Sequence, residues 1–114
     1  MTTDRALTLF AAVAAHHGES WSFNPAPKFG ANALRVNGKI YAALTRKHQL
    51  LLKLPPARVT ELLAAKRAQR MQSGGRIMHG WITLAPSRKT EWIALSVEAR
   101  AFVSAETMRK GKSR

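Results

Sequence analysis

The stretch ALRVNGKIYAALTRKHQLLLKLPP, from Ala33 to Pro56, sets three alternating apolar runs between two turn signals. That pattern is a three-stranded antiparallel meander. Alternation places Leu34, Ile40, Ala42 and Leu44 on one face and Arg35, Lys39, Tyr41 and Thr45 on the other. A two-residue turn at Asn37-Gly38 would oppose Leu34 to Tyr41 and break that set. A three-residue loop, Val36-Asn37-Gly38 with Gly38 left-handed, opposes Leu34 to Ile40 and keeps it, so this second register is expected. Arg46-Lys47-His48 forms the next turn, and Gln49 to Leu54 is apolar enough for a central strand rather than an edge.

Beyond the meander, Pro55-Pro56 stops the strand and presets a helix in which Val59, Leu62 and Leu63 face the core while Arg58, Glu61 and Lys66 face water. Lys66, Arg67 and Arg70 then form the densest basic cluster of the fold. A short strand near Ala68 to Met71 and another over about Gly80 to Leu84 follow. Gly74-Gly75 between them lacks the lysine and hydroxyl ending of a phosphate-binding loop and the helix that such a loop opens. Pro86 and Ser87 introduce the longest helix, whose apolar stripe is Trp92, Leu95, Ala99, Phe102 and Val103, with Glu91 in its first turn and Gly111 as its stop.

On the other side, Thr3 to His17 is an amphipathic helix with Leu9, Phe10, Val13 and Ala14 on one stripe, capped by Thr2 or Thr3 and ended by Gly18. Glu19 to Asn32 is broken by Pro25, Pro27 and Gly30, with Trp21 and Phe23 alternating in a short strand. Those two aromatics, beside Lys28, either stack on bases or cover the edge of the core. The whole is one α+β domain over residues 1–110, with a disordered basic tail over 111–114.

The 114 residues include 19 Lys+Arg against 6 Asp+Glu, a formal net charge of +13, and no cysteine. The missing thiols exclude disulfides, thiolate metal sites and cysteine nucleophiles, and fit a reducing cytoplasm. No apolar run approaches the ~20 residues that cross a bilayer. Self-repulsion of this size costs stability, and a polyanionic partner is its commonest compensation. The alternatives are an acidic protein or lipid surface, or a merely solvated basic face. The four histidines have no i, i+4 pair, the acids are scattered over outer helix faces, and Ser73 near His79 has no orienting acid. No enzyme, metal or cofactor is expected.

Lys28-Phe29-Gly30, Ala33 to Val36, Asn37 to Ala42, Leu52 to Pro55, Arg58-Val59, Gly75 to Met78, Trp81, Trp92, Ala99 and Phe102-Val103 occur in an order and spacing that resembles the TfoX N-terminal domain family. The resemblance covers about two thirds of the chain. It implies a two-layer α/β sandwich, helix, three strands, helix, two strands, helix, with an antiparallel sheet of about five strands, similar to MmcQ/YjbR proteins and to secretion-chaperone-like folds. In the parent competence regulators this domain is the N-terminal half of an activator that works with the cyclic-AMP receptor protein at promoters. The family supplies no catalytic residues. This chain ends soon after its third helix, without the regulators' C-terminal domain, and Gly80 stands before Trp81 where relatives often carry an acid.

The function expected is a cytoplasmic, DNA-associated regulatory or accessory protein that contacts nucleic-acid phosphates. Its candidate surface is Arg35, Lys39, Arg46, Lys47, Lys66, Arg67, Arg70, Arg109 and Lys110, with Lys112 and Arg114 in the tail. The alternative is a protein-interaction module, an adaptor or a homodimer, using the sheet face or Trp81.

Overall fold

The computed structural model describes residues 2–23, 32–73 and 75–112, with the side chains of 2–4, 72, 73, 76–79 and 109–112 outside the description. Its elements follow in the order α1 (Thr2–His16), β1 (Ala33–Val36), β2 (Lys39–Leu44), β3 (Leu50–Lys53), α2 (Pro56–Ala64), β4 (Gln69–Ser73), β5 (Arg76–Leu84) and α3 (Lys89–Lys112). The expected α+β class and element order are met. The sheet is antiparallel throughout, in the order β1-β2-β3-β5-β4, so the Leu-Leu-Leu strand is its centre.

The meander register differs from expectation, and the reason is physical. Val36 pairs with Lys39 across the two-residue turn, with Asn37 at φ 52° and Gly38 at φ 81°. Those angles suit Asn-Gly in a type I′ hairpin turn, whose twist matches the strands. Taken alone this register would oppose Leu34 to Tyr41. A bulge in β2 intervenes, so Arg35 pairs with Ile40 but Leu34 pairs with Ala42. Ile40 therefore lies on the outer face with Arg35, and Lys39 on the helix side with Val36. Tyr41 enters the core fully buried instead of facing out. Turn chemistry and core burial make conflicting demands on one short strand, and one extra residue satisfies both.

One core fills the space between the helices and the inward rows of the sheet. α1 contributes Leu9, Phe10, Val13 and Ala14, α2 Val59 and Leu62, α3 Trp92, Leu95, Ala99 and Val103, and the strands Leu34, Ala42, Leu50, Leu52, Ile82 and Leu84. Burying each leucine contributes about 2 kcal/mol. Trp92, fully buried, donates its indole N–H to the Ala85 carbonyl at 3.1 Å, which fixes the start of α3 over the end of β5. Ala43, Leu51 and Thr83 form the outward middle row and are buried as well.

The remaining boundaries meet expectation at the end of α1 and depart from it elsewhere. Gly18 at φ 71° closes α1, with Glu19 N–H donating to the Ala14 carbonyl and Gly18 N–H to that of Ala15. α2 closes the same way, Arg67 N–H donating to Leu62 and Lys66 N–H to Leu63, but the left-handed position is held by Lys66 at φ 59°. α3 runs through Gly111 to Lys112, so Gly111 does not stop it and the expected tail begins inside the helix; residues 113 and 114 lie outside the described residues. Trp21 to Phe23 is not a strand. Trp21 packs edge-to-face on Phe10 at 4.8 Å between ring centroids, the core-edge alternative. β5 starts four residues earlier than expected, because Arg76 already pairs with Ser73 across Gly75. Gly75, at φ 81°, thus sits in a hairpin turn.

Candidate nucleic-acid interface

The strand order sorts the basic residues into two ends of the sheet. At one end lie the β1–β2 turn, the end of β3 and the last turns of α3; Asn37 Nδ2 donates to Thr107 Oγ1 there at 2.8 Å. At the other lie the β2–β3 turn, the segment after β5, the segment between α2 and β4, and the start of α3. Leu44 pairs with Leu50 and Leu50 with Leu84, while Gln69 pairs with Thr83. Residues 45–49, 85–89 and 66–69 are consequently neighbours along one rim.

At the first end Arg35 and Lys39 are exposed, on opposite faces of their hairpin rather than on one. Arg109 and Lys110 belong to the same end by position in α3, with side chains outside the described residues. Lys53 approaches Glu106 at 3.8 Å and lies 5.8 Å from the Trp81 ring centroid. Arg58 grips Glu98 with Nε at 2.9 Å and Nη2 at 3.2 Å and reaches Glu61 at 3.2 Å. Those hydrogen bonds, Glu98's first and Glu61's next, raise the Arg58 guanidinium above its ordinary value.

At the second end Arg46 and Lys47 project from a turn pinned by His48 N–H donating to the Thr45 carbonyl and Gln49 N–H to Thr45 Oγ1. Arg88 and Lys89, exposed beside it, were not among the expected residues. Their relevance depends on β5 lying next to β3, a pairing that chain order does not announce. Lys66 is exposed in its left-handed cap, and Arg70 is exposed on the edge strand β4. Arg67 is not free: its Nη2 meets Glu91 Oε2 at 3.0 Å, while Ser87 donates to Glu91 Oε1 at 2.9 Å. The expected Lys66, Arg67 and Arg70 cluster is therefore divided by an ion pair. An open depression of about 420 Å³ lined by Arg67, Ser87, Arg88 and Glu91 marks the place.

Each described glutamate already has an internal partner: Glu19 accepts from the Tyr41 hydroxyl at 2.8 Å, Glu61 and Glu98 hold Arg58, Glu91 holds Arg67, and Glu106 faces Lys53. Among the described residues no acid is paired with Arg35, Lys39, Arg46, Lys47, Lys66, Arg70, Arg88 or Lys89. Among the same residues no group of histidines and acids could hold a metal, and no helix is long and apolar enough to cross a membrane. Ser73 and His79 have side chains outside the described residues, as has Lys28 entirely. No family model, curated protein or solved structure matches this chain.

Proposed function

We propose that this protein is a non-enzymatic TfoX N-terminal-like module, a cytoplasmic regulatory or accessory protein that associates with DNA through phosphate contacts. One observation carries the reading. The described acids are held in internal pairs, so the excess positive charge stays on the surface, and Arg46, Lys47, Lys66, Arg88 and Lys89 carry it along one rim. Phosphates of a nucleic acid neutralise such a rim and release their counterions on doing so. Anisotropy of a labelled ~20-base-pair duplex, titrated at several salt concentrations, tests it: log affinity is expected to fall by about one unit per log unit of salt for each phosphate contacted. Absence of binding at low salt, or binding indifferent to salt, ends the proposal.

A second reading is favoured by α3. Ala94, Val97, Ala101, Ala105 and Met108 are exposed at spacings of three and four, with Val97 43% and Met108 58% accessible. An apolar stripe on the outer side of a helix whose inner side is also apolar suits a protein partner or a second copy. The outward middle row of the sheet does not, since Ala43, Leu51 and Thr83 are already buried. Light scattering separates the two readings: salt screens repulsion and promotes self-association, but weakens DNA binding.

A further inference from the structure

Phe23 is 43% exposed, and its ring lies 6.1 Å from that of His48, tilted by 37°. His48 follows Arg46 and Lys47 directly and holds φ 61°, a left-handed backbone that costs a non-glycine residue about 1 kcal/mol or more. Lys66, on the same rim, carries the same strain at φ 59°. Asn or Gly would relieve either position, as Asn37-Gly38 does at the far end of the sheet. The turn and the helix close that need these left-handed residues thus set an imidazole and an ammonium on the rim beside Arg46 and Lys47, where glycine or asparagine would serve the backbone as well.

We propose that Phe23 and His48 form a stacking platform for an unpaired base, and that the rim binds single-stranded nucleic acid in preference to duplex. The inference rests on the phosphate-binding reading above and names its polymer. Arg46 and Lys47 hold the backbone on one side of the platform and Lys66, Arg88 and Lys89 continue the track. A duplex buries its base faces in its own stack, so Phe23 gains nothing from it; a single strand offers those faces regardless of sequence.

The test uses labelled ~20-nucleotide oligothymidine and oligouridine, with a duplex of the same length, at one low salt concentration. Either single strand is expected to bind more tightly than the duplex. Phe23→Ala is expected to lower single-strand affinity about tenfold, leave duplex affinity within about twofold, and be rescued by Phe23→Tyr. His48→Gly removes the ring while relieving the strain, so it should raise the melting temperature yet weaken single-strand binding. That combination separates the role from a folding defect. Equal or tighter binding of the duplex, or single-strand affinity unmoved by Phe23→Ala, overturns the platform but leaves phosphate binding standing. If neither polymer binds, both readings fall.

Discussion

Where β3 runs into α2 and α3 finishes, Lys53 and Arg58 meet Glu106, Glu98 and Glu61, and the left-handed turn residues are Asn37 and Gly38. At the opposite rim no acid among the described residues is paired with Arg46, Lys47, Lys66, Arg88 or Lys89, Glu91 being held by Arg67, and the left-handed residues are His48 and Lys66. The first end obeys local rules of pairing and turn chemistry. The second departs from the pairing rule, gathering like charge, and fills its left-handed positions with a histidine and a lysine rather than Asn or Gly. Stability explains the first arrangement and opposes the second, a cost that the proposed phosphate contacts would offset.

The largest effect should come from removing that rim. Changing Arg46, Lys47, Arg88 and Lys89 to alanine together is expected to weaken duplex binding on the order of 100-fold at low salt and flatten the salt dependence. Arg35→Ala with Lys39→Ala, at the other end, should change it only a few-fold. Equal losses would dissolve the contrast. Next, Arg58→Ala should lower stability by about 1 kcal/mol in urea titration, because it abandons two carboxylates at a partly exposed site. An unchanged midpoint would mean the pairs there are ornamental. Lys66→Gly should raise stability by up to about 1 kcal/mol, since glycine suits the left-handed cap, while binding weakens. Should stability fall instead, the lysine would be serving the fold.

Some of this contrast was legible in the sequence. The leucine run at 50–52 marked a central strand because nothing but full burial tolerates it, and the helices showed in Leu9 to Ala14 and Trp92 to Val103 because their stripes repeat at helical spacing. The hairpin register was not, since the bulge opposite Leu34 depends on Tyr41 being drawn into the core by packing from α1 and α3 as well as on the turn. Arg46-Lys47 and Lys66-Arg67 stood out as basic runs. Their union with Arg88-Lys89 required knowing that β5 inserts between β3 and β4. Likewise the loss of Arg67 to Glu91, and the grip of Arg58 on Glu98, are contacts between residues 24 and 40 positions apart, invisible to local pattern.

The smallest expected effect lies between the two ends, where the close of α1 meets α3 and β2. Ser96, fully buried, donates to the Ile93 carbonyl at 2.7 Å, so its oxygen accepts from His17 Nε2 at 2.9 Å. The His17 ring also meets those of Tyr41 and His16, at 5.4 Å and 5.2 Å between centroids. Burial first, then the charges of His16 and Arg100, push His17 below its ordinary value of 6.5, with Glu19 pulling weakly the other way. The unfolded chain therefore takes up its proton at a higher pH than the folded one. The His17 contribution is complete above the ordinary imidazole value and drains away as pH falls from there through the lowered one. The hydrogen bond to Ser96 survives protonation, because Nε2 remains a donor; the loss comes from charging a half-buried ring beside Arg100. Thermal melts from about pH 8 to about pH 5 should show the native chain's advantage over His17→Gln shrinking toward acid. A constant difference across that range would assign His17 to packing alone.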